Sequence, residues 1–314
     1  MNLFSFIFGL AVQARNALYD RGILAARRLT GAVISVGNLS VGGSGKTPFV
    51  ILLGELLKSR QIKFDVLSRG YGRKTRGVAL VDAAGSASEF GDEPLLLARK
   101  LNVPVIVGED RFEAGAFAEH KFGAQVHLLD DGFQHRALSR DFDIVLVTGE
   151  DLHDCLLPTG RLREPLTALA RANAVVLTCG MQPSALPLDG KLVWHVRRAV
   201  ELDRVPEAPV VFCGIARPRN FLSQLRAAGI EPVAEALFPD HHAYTEHDIR
   251  DLMNLRQKSQ GRSFITTEKD VVNLGGYLSS LEPMIVARVK MKLLASGDIL
   301  ETILQHRQQR TRPA

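Results

Sequence analysis

The spacing of hydrophobic and polar residues changes character several times along the chain. Residues 3–12 are nearly all apolar, and Asn2, Ser5, Gly9, Gln13, Asn16 and Asp20 recur every three or four positions. That spacing draws one narrow polar stripe along an amphipathic helix within residues 1–28. Beyond residue 30, short β-branched runs take over at 32–36, 64–67, 103–107, 126–129, 143–147 and 174–177. Several are apolar throughout, as strands buried on both faces of a parallel sheet tend to be. Helical stretches such as 48–59 and 94–101 separate them, so the pattern is βαβ. The expected class is α/β with a doubly wound, mostly parallel sheet.

Around residues 183–208 prolines (Pro183, Pro187, Pro206) frame a run with strand alternation at 192–199, and a second alternating run lies at 284–293. These two are expected to pair as a ribbon joining two lobes. Between them lies a smaller α/β unit with strands near 210–213 and 263–266, and 297–308 reads as a helix. The resulting division is a large lobe at 1–185, a strand linker at 186–208, a smaller α/β lobe at 209–283, and a return strand with C-terminal helix at 284–314.

Composition refines this only slightly. The 314 residues are 46% hydrophobic and 23% charged, which excludes disorder and suits two folded lobes. Cys155, Cys179 and Cys213 have no CxxC spacing, so neither a disulfide framework nor a zinc cluster is expected and a reducing cytoplasm fits. Cys213, in an apolar run, reads as a buried thiol.

The net charge of +5 is unevenly placed. Arg69, Arg73, Lys74 and Arg76 crowd one glycine-rich loop, Arg15, Arg21, Arg27 and Arg28 follow the apolar start, and Arg307, Arg310 and Arg312 end the chain. Such basic surfaces attract phosphate. No nucleic-acid signature accompanies them, so no nucleic-acid partner is expected. The apolar start is too short to span a bilayer and has no basic segment ahead of it. It reads either as a helix packed on its own domain or as one lying at an anionic membrane surface, and Phe4, Phe6 and Phe8 favour the surface.

The strongest chemical signal is Ser40-Val41-Gly42-Gly43-Ser44-Gly45-Lys46-Thr47, placed after a strand and before a helix. Glycines let backbone N–H groups turn toward phosphate oxygens. Lys46 suits the β/γ-phosphates and Thr47 a magnesium ion. Pro48 is harmless in a first helical turn. The residues expected to bind nucleotide are thus Gly42, Gly43, Ser44, Gly45, Lys46 and Thr47, although Ser40 stands where the general motif has glycine. Downstream, 126–129 is an apolar strand ending in Asp130-Asp131, a Walker B arrangement in which a carboxylate holds magnesium. Which aspartate is nearer the metal stays open.

Other segments are ambiguous on spacing alone. In Gly91-Asp92-Glu93-Pro94, Asp92 is either a helix-capping acid or a general base for a substrate hydroxyl. His241 and His242 after Asp240 could orient a carboxylate or lie on a surface. Arg163 and Glu164, in a turn-rich segment, carry charges that substrate or magnesium could use, and Lys269 follows a strand in the second lobe.

Taken in order, the motifs at 37–48, 68–73, 91–94, 129–136, 162–165, 240–242 and 266–270 resemble the tetraacyldisaccharide 4'-kinase family of lipid A biosynthesis. That family's loop also has serine where Ser40 stands. The resemblance implies a P-loop NTPase-like fold and a kinase using ATP and Mg2+. It would phosphorylate the 4'-hydroxyl of a tetraacyldisaccharide 1-phosphate, an acylated disaccharide lipid, to give lipid IVA. It would do so as a peripheral protein at the cytoplasmic face of the inner membrane. Separately from the resemblance, a monomer is expected. The resemblance also implies that Asp92 is the catalytic base, assisted by His241 and working with Lys46. Thr47, Asp130, Asp131 and Glu164 would surround magnesium, and Arg69, Tyr71, Arg73, Gln134, His135, Arg163 and Lys269 would position phosphates or substrate. The rival class is a membrane-recruited P-loop ATPase switch or assembly factor. Such proteins often carry a second lysine where this chain has Val41.

Overall fold

A computed structural model describes residues 3–178, 181–182, 186–294 and 298–311. Met1 and Asn2 of the expected first helix, Cys179, the lobe boundary at residue 185 and the expected start of the last helix at Gly297 lie outside the described residues.

Strands β1 (Ala32–Asn38), β2 (Phe64–Ser68), β4 (Val105–Val107), β5 (Val126–Asp130), β6 (Phe142–Val147) and β7 (Ala174–Thr178) pair in parallel, with the short β3 (Ala79–Leu80) antiparallel at one edge. Their order from that edge is β3-β4-β2-β5-β1-β6-β7. Every residue of β1, β2, β5 and β6 is buried, which explains why these strands read as continuous apolar runs. Helices α2 (Lys46–Ser59), α4 (Asp92–Leu101) and α5 (Arg111–Phe122) cross over between strands. Phe49, Leu53 and Leu57 of α2 and Leu95 and Leu101 of α4 enter one core with Val36, Val66 and Leu128.

The smaller unit contains β9 (Pro209–Cys213), β10 (Ala234–Leu237) and β11 (Ser263–Thr267), all parallel, with α6 (Pro218–Ala227), α7 (Glu246–Lys258) and α8 (Glu268–Leu274). Cys213 is fully buried, and burial pushes its thiol up to about 12, so it behaves as a small hydrophobe.

The two alternating runs form long strands, β8 (Leu192–Glu201) and β12 (Met284–Leu293). The first half of β8 continues the large sheet beside β7, and its second half pairs antiparallel with residues 288–293 of β12. Residues 284–287 of β12 pair in parallel with β11. One sheet therefore runs unbroken through both units. Helix α8 packs against α4, and Val272 shares the core that holds α2 and α4. The last helix, α9 (Ile299–Thr311), packs back on α2 and β6.

The first helix, α1, spans Leu3–Asp20 and stops short of residue 28. The chain turns at Arg21 and at Gly22, whose φ of +70° is left-handed. It bends at Ile23 and Leu24, whose N–H groups donate back to the Leu18 carbonyl, and reaches Arg27, which bridges Leu138. The polar side of α1 faces inward: Ser5 Oγ donates to the Leu156 carbonyl at 2.8 Å and Asn16 donates to Glu164 at 2.6 Å. Arg136 donates to the Asn16 carbonyl and to Asp20. Gly9 leaves room for Leu156, whose Cδ1 would lie 2.9 Å from an added Cβ. Gln13 is exposed and Val12 takes its place in the seam. Leu3, Phe6, Ile7 and Leu10 point away, Ile7 being 54% exposed and Leu10 50%. The amphipathic helix is thus docked by its polar face. Among the described residues, no helix is long and apolar enough to cross a membrane.

Candidate active site

The site gathers at the carboxyl ends of the strands, where an open α/β sheet leaves a crevice beside its topological switch point. Strand β1 is that point, with β5 on one side and β6 on the other. The loop leaving β1 turns through Gly42, Gly43 and Gly45 at φ of +68°, +68° and +88°, a left-handed backbone that aims amides into a concavity. Gly45 caps α2, whose first turn holds Lys46, Thr47 and Pro48. Lys46 Nζ donates to Asn38 Oδ1 at 2.9 Å and lies 3.3 Å from Asp131. The Ser44 Oγ is buried without a hydrogen-bond partner among the described residues.

The two Walker B aspartates sit differently. Asp131, with φ +53°, receives both Nη atoms of Arg163 at 2.8 and 2.7 Å. Burial would raise its carboxyl, but Lys46 and Arg163 overcome that and hold it far below the usual carboxylate range. Asp130 is fully enclosed: Oδ2 accepts from Ser68 at 3.2 Å, and Oδ1 has no partner among the described residues. Burial, with the neighbouring Glu93 and Asp131 carboxylates, pushes Asp130 up to about 7. A buried acid with a vacant lone pair and raised pKa suits a divalent cation. No group of three or more ligating side chains gathers among the described residues. Magnesium bound to a nucleotide needs only one or two protein oxygens, because phosphates and water supply the rest. The residues therefore fit the ion. Glu164 has other partners: its buried carboxylate accepts from Arg171 at 2.9 and 3.1 Å and from Asn16.

Asp92 opens α4 and is 4% exposed. Its oxygens lie 3.0 and 2.9 Å from His241 Nδ1, accept from Asn273 Nδ2 at 3.1 Å, and stand 3.6 Å from Lys269 Nζ. Burial alone would raise this carboxyl, yet His241, Lys269 and Asn273 hold it below its usual range. His241 sits in a strained left-handed turn, φ +59°, directly after Asp240. Its Nε2 faces Lys269 Nζ at 3.3 Å, the arrangement of an Nδ1–H tautomer that donates to Asp92. Burial opposes charge on the ring, but the hydrogen bond to Asp92 carries its pKa above the ordinary histidine value. Lys269 donates to Asp240 at 2.8 Å, and Asp240 in turn lies 3.5 Å from where a Cβ on Gly42 would stand. Asp92 of the large lobe and His241, Lys269, Asn273 and Asp240 of the small one thus form a single cluster against the phosphate loop.

Beside it, Arg69, Tyr71, Arg73, Lys74, Arg76 and Glu109 line an open cavity of about 630 Å³. Arg69 and Tyr71 are exposed, and the Tyr71 ring stands 5.1 Å from that of His241. Arg73 donates to Glu109 and to the Gly77 carbonyl. Gln134 donates to the Asn38 carbonyl. The His135 Nε2 is buried without a partner among the described residues, and burial beside Arg111 pushes the ring down to about 4. Asn38, Asn273 and Arg111 join the cluster without having been expected. Arg111 is 4% exposed and held down to about 10 by burial. Its only signal in the sequence is its place just after Glu109-Asp110, at a helix start.

Residues 1–309 match the family described as Tetraacyldisaccharide-1-P 4'-kinase. A Tetraacyldisaccharide 4'-kinase of Koribacter versatilis is 51% identical over 97% of this chain and 98% of its own length. One from Aquifex aeolicus is 39% identical over 92% and 93% respectively. A crystal structure of the Aquifex aeolicus LpxK in complex with ATP superposes with a TM-score of 0.79 at 37% identity, covering 97% of both chains.

Proposed function

Because this chain belongs to the tetraacyldisaccharide-1-P 4'-kinase family, we propose that it transfers the γ-phosphate of ATP to the 4'-hydroxyl of a tetraacyldisaccharide 1-phosphate, giving lipid IVA, at a site shared between its lobes. The observation that carries the assignment of roles is the buried Asp92 carboxylate, ionised and oriented by His241, Lys269 and Asn273 beside the phosphate loop.

Phosphoryl transfer asks a protein mainly for positioning and neutralisation of charge. The amides of Gly42, Gly43, Ser44 and Gly45 cradle the donor's phosphates, and Lys46 exchanges its Asp131 contact for the β/γ oxygens. Thr47 and the open oxygen of Asp130 would hold Mg2+, which when bound would neutralise charge on the transferred phosphoryl group. Asp131, fixed by Arg163, acts behind them, and Glu164 steadies the neighbouring turn through Arg171. Asp92 takes the sugar hydroxyl's proton, and His241 keeps its lone pair aimed. Arg69, Tyr71 and Arg73, with Gln134 and His135, receive the anionic acceptor.

Helix α1 supports a peripheral place at the cytoplasmic face of the inner membrane. Its polar seam is spent on the protein body, so its apolar face is left for the acyl boundary. An ATPase switch would have no use for a carboxylate and a histidine paired across two lobes. ATP consumption measured with and without the acylated disaccharide 1-phosphate tests the reading. Turnover should require the acceptor, and hydrolysis indifferent to it would favour the switch.

A further inference from the structure

We infer that Arg198, on the ribbon strand β8, is a further phosphate-binding residue of the nucleotide site. Its guanidinium packs against Gly45: a Cβ added to that glycine would stand 2.5 Å from Arg198 Cζ and 2.9 Å from Nε. Gly45 can hold no side chain there, and Arg198 fills the space. Both Nε and Nη2 of Arg198 are shielded from solvent and find no hydrogen-bond partner among the described residues. No carboxylate among the described residues lies within ion-pair distance of it.

A neighbouring arginine, whose Nε also lacks a hydrogen bond among the described residues, is nonetheless paired with carboxylates. Arg217, on the loop after β9, packs on Gly43, with Cγ and Cδ 2.6 and 2.7 Å from an added Cβ. It donates to Thr148 at 2.9 Å and stands 3.1 Å from Glu150 and 3.6 Å from Asp151. Arg198 has none of these. Burial, together with the Arg217 charge and against the more distant pull of Glu150 and Asp151, holds its guanidinium down to about 10. Shielded donors without acceptors beside a like charge destabilise a fold unless an anion completes them. A planar fork of N–H donors matches phosphate oxygens, and Gly45 belongs to the loop whose amides hold the nucleotide's phosphates. Arg198 and Arg217 therefore flank that loop from the linker and from the small lobe, and the unpartnered one is completed by polyphosphate. Contact made this way also ties the donor to the ribbon that joins the lobes.

The inference rests on the phosphate-loop reading above, and its test separates the two. Arg198→Met and Arg198→Lys are compared with the unaltered protein for thermal unfolding with and without Mg-ATP. Affinity is measured for a fluorescent ATP analogue, with adenosine as competitor, alongside KM for ATP and for the acceptor. Arg198→Met should unfold at the same or a higher temperature in the absence of nucleotide, since it removes an unpaired cation. It should bind ATP about 10- to 100-fold more weakly, as expected for lost charged hydrogen bonds, while adenosine changes less than twofold. Arg198→Lys should recover part of the loss. A lower unfolding temperature with unchanged ATP affinity would make Arg198 a packing residue and overturn the inference. Equal weakening of adenosine would overturn it in favour of a role at the base, and a raised acceptor KM alone in favour of the acceptor's phosphate. Lys46→Ala, run in parallel, must lose ATP. If it does while Arg198→Met does not, only the Arg198 inference falls; if neither does, the phosphate-loop reading falls too.

Discussion

The outward face of α1 yields the most quantitative prediction. Ile7 and Leu10 are 54% and 50% exposed, on the side opposite the Ser5, Gly9 and Asn16 seam. Complete burial of such a side chain is worth about 1.5–3 kcal/mol, so moving the exposed half of each into lipid contributes about 0.8–1.5 kcal/mol. Together they account for about 1.5–3 kcal/mol, or roughly a 10- to 150-fold change in partitioning. The double variant Ile7→Asn/Leu10→Asn should therefore lose at least about tenfold in binding to anionic phosphatidylglycerol vesicles, read by co-sedimentation at fixed lipid and salt. Exposed substitutions of this kind change folding by about 0.5 kcal/mol or less, so the unfolding midpoint should not move. Gly9→Leu supplies the contrast. It wedges the seam against Leu156 and should lower stability. Vesicle binding that is unchanged in the double variant would refute the argument, because it would show that the outward face does not meet lipid.

Three further outcomes follow from the site and the core. Asp92→Asn should lower kcat by about 10²–10⁴ with little change in ATP affinity, measured by steady-state kinetics. Because His241 holds the Asp92 carboxyl down, His241→Ala should let that pKa rise and move the acid limb of the kcat profile to higher pH. Away from the site, His127 is enclosed between Asp65, at 2.8 Å, and Glu119, at 3.3 Å. Although burial opposes its charge, these acids raise its pKa above 6.5. Its contribution to stability is therefore complete below about pH 6.5 and lost as pH rises through the raised folded value. His127→Leu should cost about 3–5 kcal/mol by leaving Asp65 buried without its partner. It should also flatten the decline of the unfolding midpoint on the alkaline side.

Much of the frame was legible from hydrophobic spacing because buried parallel strands are apolar on both faces. The same rule stopped short at their carboxyl ends. Asn38, Ser68 and Asp130 all lie in strands, but being polar they fall outside the apolar runs at 32–36, 64–67 and 126–129. These are the positions where the sheet hands side chains to the site. The phosphate loop was readable because its glycines, lysine and threonine keep fixed offsets. Arg111, Arg198 and Asn273 belong to no local pattern, and only the three-dimensional fold shows their surroundings. Periodicity drew the stripe on α1 without saying which side faces the body. Its length was overdrawn because Gly22, which ends the run, is a single residue in an otherwise helix-compatible stretch.

The joint between the lobes bears directly on catalysis. Asp92 is buried by residues of the other lobe, so the proposed base is also an interlobe contact. If the lobes parted, Asp92 would lose His241 and Asn273 together and gain water, giving up both its orientation and its low pKa. A hinge made of a flexible loop would leave that alignment poorly determined. Here the joint is two paired strands, and β12 changes partner between Ala287, on β11, and Arg288, on β8. Relative movement of the lobes must therefore be absorbed as twist of this ribbon, a stiffer coordinate than loop rotation. Arg198 pairs with Met291 on the same ribbon and reaches Gly45. Phosphate bound there would hold the ribbon against the large lobe at the moment the Asp92 pair is needed. Donor binding and assembly of the base would in this way be coupled through one strand.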